Sequence, residues 1–138
     1  IKDLENSYKN LFKKKPKIAV LGLNPHNNEY KKNSEEIKKI IPAINQLRKK
    51  ISISGPYSTD SFFSNSNLKK YDVIVGMYHD QVLTPFKTLY NFNAINITLG
   101  LNYLRISPDH GTGINISGKK MANAESLLKA INFFLKHN

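Results

Sequence analysis

The sequence predicts an α/β fold, a layered sheet with helices packed on it. Two observations carry that prediction. Short apolar runs of strand type alternate along the chain with longer stretches whose apolar residues fall at helical spacing. Two of the runs, Ile18-Ala19-Val20-Leu21-Gly22-Leu23 and Val73-Ile74-Val75-Gly76-Met77, lead straight into Asn24-Pro25-His26 and Tyr78-His79-Asp80-Gln81. A sheet delivers chemistry-bearing groups to a cleft in this way. With 138 residues the chain can form one domain with a modest core, and it contains no internal repeat or low-complexity segment.

The elements follow in order. Residues 1–15 are polar and helix-compatible, with Leu4, Tyr8, Leu11 and Phe12 at helical spacing. Pro16 ends that helix, because the residue before a proline avoids the α region. Residues 17–23 read as a buried strand and 24–33 as a polar loop. Ser34 suits a helix N-cap, with Glu35 and Glu36 in the first turn, where negative charge favours the helix dipole. Ile37, Ile40, Ile41, Ile44 and Leu47 then form an apolar stripe, and Pro42 inside it predicts a kink. Residues 51–54 read as a strand stopped by Gly55-Pro56, and 59–63 as a short helix. A strand over 71–77, a helix over 81–90 and strands over 94–99 and 104–107 come next. A glycine-rich loop covers 108–120. The closing helix, 123–136, is expected to turn Leu127, Leu128, Ile131, Phe134 and Leu135 inward.

Net charge is +11 and the pI about 9.8. The basic residues are 19 Lys and 2 Arg, whereas planar, bidentate readout of nucleic acid favours Arg. Lysine together with abundant Asn and Ile points to a compositional bias of the coding sequence. A basic α/β module for nucleic acid or another polyanion is the alternative reading. It lacks a base-stacking aromatic cluster, so no nucleic-acid partner is expected. Cysteine is absent, which removes disulfides and thiolate metal sites and fits a cytoplasmic location. Any metal must be held by His, carboxylate or water. No run of 18 apolar residues and no signal peptide is present, so no membrane partner is expected. The chain opens without an initiator Met, as a fragment or a mature piece would.

His26 and His79 are the candidate metal ligands, since neutral imidazole suits divalent first-row ions. A catalytic zinc site takes three protein ligands and an open position, so these two alone leave the site incomplete. Two unrelated loop histidines are the simpler alternative. Asp60 and Asp80 are the nearest carboxylates. Either can ligate an ion, orient a His or move a proton, and Asp60 also suits a local role as a helix N-cap. Lys87 and Arg105 can hold an anionic substrate, Lys as a point charge and Arg bidentately. The loop from Asp109-His110-Gly111-Thr112-Gly113 to Ser117-Gly118 lets backbone approach a ligand, yet it is neither a G-x-G-x-x-G fingerprint nor a Walker loop.

Five stretches occur together and in order. They are Val20-Leu21-Gly22-Leu23-Asn24-Pro25-His26, Gly55-Pro56 with Asp60 and Phe62-Phe63, Met77-Tyr78-His79-Asp80-Gln81, Asn96-Ile97-Thr98-Leu99-Gly100-Leu101, and Arg105-Ile106-Ser107-Pro108-Asp109-His110-Gly111-Thr112. In combination they resemble the C-terminal part of the 4-hydroxythreonine-4-phosphate dehydrogenase family, from about Lys17 to the last helix. The resemblance implies part of a two-domain fold like that of isocitrate and isopropylmalate dehydrogenases, not a Rossmann fold. It implies NAD- or NADP-dependent oxidation of 4-phosphooxy-L-threonine at its hydroxyl carbon, followed by decarboxylation to 3-amino-2-oxopropyl phosphate in pyridoxine 5′-phosphate biosynthesis. It implies a divalent metal (zinc, magnesium or cobalt) on His26 and His79, and a small phosphorylated amino-acid substrate on Lys87, Asn96 and Arg105. Asp60 and Asp80, with Lys87, become the catalytic candidates. His110, Gly111, Thr112, Asn115 and Gly118 match the stretch that holds the NAD adenosine. A homodimer with a shared active site is implied as well.

The same resemblance implies that residues 1–106 belong to a central, dimer-forming domain and that 107–138 return into the NAD-binding domain. The family is more than twice as long, and its first half carries a third metal His, so this chain alone is expected to be inactive. After the first His the family carries small residues and glycines. Here Asn27-Asn28-Glu29-Tyr30-Lys31-Lys32-Asn33 keeps only the Glu.

Overall fold

The computed structural model describes residues 1–137. Two compact units divide them. One holds residues 8–85, and the other holds residues 1–7 with those from Phe86 on. Both are built from helices and short strands, in accord with the expected α/β class.

The first unit is organised on a three-stranded parallel sheet in the order β2-β1-β3, from β1 (Ile18–Leu21), β2 (Ile53–Tyr57) and β3 (Val73–Val75). Every residue of β1 is buried, as its unbroken apolar run demands of a central parallel strand. Helix α1 (Lys2–Phe12) precedes β1, and its residues from Tyr8 on belong to this unit. Between β1 and β2 the chain makes a π-type turn over Glu36–Ile40 that runs into α2 (Ile41–Arg48). Ser34 does cap this segment, its Oγ accepting from the Ile37 N–H at 3.3 Å. Pro42 stands just after the junction of the π turn with α2, and the helical irregularity lies in the π turn before it. Ile44 carries the stripe into the core.

Three expectations are corrected here. Strand β2 runs through Gly55-Pro56 instead of stopping at Ser54. It is an edge strand, where a proline's missing donor is tolerated, and the register slips between the Ala19↔Ser54 and Leu21↔Tyr57 pairs. Gly55 sits there at φ 130, and a Cβ at that position would collide with the Val20 carbonyl. After α3 (Thr59–Phe62) an unanticipated helix α4 (Asn65–Lys70) completes the crossover to β3. Helix α5 (His79–Tyr90) starts two residues earlier than the apolar pattern suggested, so His79 and Asp80 lie in its first turn. Ala19, Leu21 and Phe62 form one buried cluster of this unit, with Tyr57, Phe63, Tyr71, Ile74 and Val82 packed around them.

In the second unit β4 (Ile95–Thr98) and β5 (Arg105–Pro108) pair antiparallel, and α6 (Glu125–His137) packs on both. The compact units part inside α5. The inward face expected of α6 is corrected. Ser126 and Ala130 are its buried residues, and Leu127, Leu128, Ile131, Phe134 and Leu135 are exposed, Leu135 by 73%. A two-stranded ribbon is too narrow to cover the stripe. Small side chains let α6 approach it, and Leu127, Ile131, Phe134 and Leu135 flank an open apolar groove with Ile106 and Pro108.

Candidate functional site

In a parallel sheet all strands deliver their C-terminal ends to the same edge, and ligands bind where the strand order switches. Here the order switches about β1, since β2 and β3 flank it on opposite sides. His26 follows β1, Asp60 follows β2, and His79 and Asp80 follow β3. The topology thus gathers three of the predicted site segments at one edge.

His26 sits on a short loop fixed by its own polar residues. Asn24 Oδ1 accepts from the His26 N–H at 3.0 Å and the Asn28 N–H at 3.1 Å, and the Thr59 N–H donates to the Pro25 carbonyl at 3.0 Å. The Asn24 N–H in turn donates to Glu36 Oε1 at 2.8 Å. Glu36 is fully buried, so its role is larger than the dipole contact expected of it. Burial pushes its carboxyl up, but hydrogen bonds led by the Asn24 N–H outweigh that and hold it below the ordinary value. After His26 the chain runs through four consecutive left-handed residues, Asn27, Asn28, Glu29 and Tyr30, at φ 53, 48, 49 and 54. Asn27 turns inward there, against Gly22, where any Cβ would collide with its Oδ1.

Each histidine meets a carboxylate through the same ring atom. His26 Nδ1 lies 3.2 Å from Asp60 Oδ2, and His79 Nδ1 lies 2.7 Å from Asp80 Oδ1. The His79 contact is a hydrogen bond, and because a carboxylate only accepts, it favours the hydrogen on Nδ1 and leaves Nε2 for another partner; the His26–Asp60 contact is an ion-pair approach. Both rings are open to solvent. Asp60 is not a cap hydrogen-bonded to the start of α3; it pairs with His26 across 34 residues of chain and accepts from the Ser61 hydroxyl at 3.1 Å. Among the described residues no group of three or more His, Asp or Glu is arranged to hold an ion. The donor chemistry fits a divalent metal, two imidazole Nε2 atoms with carboxylates behind them, but the set is incomplete within this chain.

The other predicted residues lie in the second unit. Register pairs Asn96 with Ser107 and Thr98 with Arg105, so these four share one face of the ribbon. Arg105 Nη1 donates to Thr98 Oγ1 at 2.7 Å. Thr98 and Ser107 belong to the quoted motifs but carry no assigned role there, yet the period of two from Asn96 and Arg105 points to both. Lys87 Nζ lies 2.8 Å from Asp109 Oδ2 and also donates to the Asp109 carbonyl. The Asp109 N–H donates to Ser126 Oγ at 2.8 Å, and Ser126 Oγ donates to the Ala94 carbonyl at 2.6 Å. Beyond them His110, Gly111, Thr112, Asn115 and Gly118 line an exposed loop with a single 3-10 turn at Ile114–Ile116.

The family model for the pyridoxal phosphate biosynthetic protein PdxA matches residues 1–134. This chain belongs to the PdxA family. A 4-hydroxythreonine-4-phosphate dehydrogenase from Sulfurihydrogenibium sp. is 48% identical over 119 residues, 85% of this chain and 36% of that protein. The enzyme of that name from Prosthecochloris aestuarii is 47% identical over 116 residues, 83% of this chain and 34% of its own length. A solved structure of 4-hydroxythreonine-4-phosphate dehydrogenase from Klebsiella pneumoniae superposes with a TM-score of 0.78 at 33% identity, over 99% of this chain and 43% of the other. The chain therefore spans about a third of the length of the curated PdxA-family relatives it matches. No helix among the described residues is long and apolar enough to cross a membrane.

Proposed function

We propose that this chain is the C-terminal portion of an NAD- or NADP-dependent 4-hydroxythreonine-4-phosphate dehydrogenase of the cytoplasm. The reading has the whole protein oxidise 4-phosphooxy-L-threonine and decarboxylate it to 3-amino-2-oxopropyl phosphate, as a step of pyridoxine 5′-phosphate biosynthesis. One observation carries it: in a PdxA-family chain, His26 and His79 follow strands that end at one sheet edge, each with a carboxylate on Nδ1.

In this reading His26 and His79 are the two metal ligands the chain supplies, and Asp60 and Asp80 hold their rings in the ligating tautomer. When bound, a zinc, magnesium or cobalt ion supplies positive charge at the substrate hydroxyl oxygen, and the nicotinamide supplies the hydride acceptor. Lys87 and Arg105 bind the phosphorylated substrate by charge, and Asn96 adds a neutral donor and acceptor on the face it shares with Arg105. Thr98 holds the Arg105 guanidinium in place. The open backbone from His110 to Gly118, with Thr112 and Asn115 as its polar side chains, takes the adenosine. The chain acts within a homodimer whose active sites lie at the interface. Residues 1–106 serve the central domain and 107–138 the NAD domain of a fold like that of isocitrate dehydrogenase.

A relative from Oceanobacillus iheyensis, 43% identical, carries the name of a D-threonate 4-phosphate dehydrogenase. That name makes the amino group of the substrate the second question. The test is NADH or NADPH formation, with NAD and with NADP supplied in turn, by the complete protein with 4-phosphooxy-L-threonine and with D-threonate 4-phosphate, each with and without divalent ions. Metal-dependent turnover of the first supports the reading, turnover of the second alone transfers the specificity, and turnover of neither contradicts it.

A further inference from the structure

We propose that Gln81 is a positioning residue for the metal ligands: its amide locks together the three chain segments that carry His26, Asp60 and His79. The inference rests on the metal reading above and adds a residue to it.

Gln81 is the third residue of α5 and is 4% exposed. Its Nε2 donates to the Gly22 carbonyl at 2.6 Å and to Thr59 Oγ1 at 2.8 Å, while its Oε1 accepts from the Met77 N–H at 2.6 Å. A primary amide has two hydrogens to donate, and both are used. The amide therefore has one orientation. The bond to Met77 reaches back to the chain ahead of the helix, as the Gln of a capping box does, and starts α5 at His79.

The three partners are spread along the sequence but sit at the roots of the site. Gly22 directly follows β1, four residues before His26. Thr59 opens α3 and directly precedes Asp60. Met77 stands two residues before His79. The histidine rings are exposed and their Asp partners are local or held by one ion pair, so the rings inherit their positions from the backbone beneath them. That backbone is joined by Gln81 across 59 and 22 residues of sequence. A side chain that only stabilised the fold would change the melting temperature alone. A positioning role also changes the geometry at the rings.

The test uses the complete protein. Gln81→Met keeps the length and packing but donates nothing. Gln81→Glu keeps the acceptor for Met77 and loses both donors at neutral pH. In Gln81→Met the Kd for Co²⁺ should rise about 10–100-fold, the size of the loss when an outer partner of a metal-bound His is removed. The visible absorption bands of the bound Co²⁺ should shift as well. Without metal, the ring resonances of His26 and His79 should move while those of His110 and His137 stay. Should Gln81→Met fail to fold, Gln81→Glu and Thr59→Val carry the same readouts with smaller changes in the same direction. A folded variant with unchanged Co²⁺ Kd, spectrum and ring resonances overturns the proposal. Should His26→Ala and His79→Ala bind Co²⁺ as well as the parent, the metal reading fails by itself, and the ring resonances still decide the role of Gln81.

Discussion

Lys87 and Asp109 form an ion pair of 2.8 Å across 22 residues of chain, and Asp109 is held from behind by Ser126. A lysine kept in place by a carboxylate can exchange that partner for a phosphate without searching for a rotamer. Lys87→Ala should therefore lower kcat/KM of the complete protein for the phosphorylated substrate by at least tenfold and leave its metal content unchanged. Asp109 keeps only 17% of its side chain exposed, so the lost pair should also cost on the order of 1 kcal/mol of stability. Steady-state kinetics, metal analysis and urea unfolding check the three statements.

Ser126 is fully buried and bridges Asp109 to Ala94 with one hydroxyl. Removing it leaves a buried carbonyl and an N–H without a partner. Ser126→Ala should destabilise by about 1–3 kcal/mol, read as a lower urea midpoint at unchanged slope.

The left-handed run after His26 carries strain that glycine would not feel. L residues pay about 1–2 kcal/mol each in that conformation, with Asn the least penalised. Glu29 is the clearest case, at φ 49 with its side chain 79% exposed. Glu29→Gly should raise the melting temperature, against the usual cost of adding a glycine. Calorimetry of the pair decides it, and a fall would show that the turn is unstrained.

Two carboxylates set the acid limit of stability. Burial pushes Glu36 up, yet its hydrogen bonds, the Asn24 N–H first, leave it lowered overall. At Asp72 the hydrogen bond from Lys14, then the Lys17 N–H, lowers the carboxyl. A folded pKa below the unfolded one adds stability that is complete above the unfolded value and drains as pH falls through the folded one. The urea midpoint should hold from neutrality to about pH 5 and drop below about pH 4. Glu36→Gln with Asp72→Asn should flatten that drop.

Sequence periodicity made β1, β3 and their histidines legible, because an apolar run ending in polar residues is a local signal. The end of β2 is hidden behind Gly55-Pro56, since tolerance of a proline depends on being at a sheet edge. The stripe on α6 is legible but its exposure is not, because an amphipathic pattern says that a face is apolar and not what covers it. The pairing of Asp60 with His26, the reach of Gln81 to Gly22 and the link from Asp109 to Lys87 join residues far apart in sequence, so no local pattern announces them. Thr98 and Ser107 were within reach, from the alternation of the two strands alone.

The central claim is that His79 holds the metal on which the chemistry depends. The direct measurement is metal content and turnover of the complete protein carrying His79→Ala. Loss of the stoichiometric divalent ion, with kcat lower by about 10²–10³ as when one electrostatic stabiliser is removed, is the predicted result. A variant that keeps both its metal and its turnover contradicts the account.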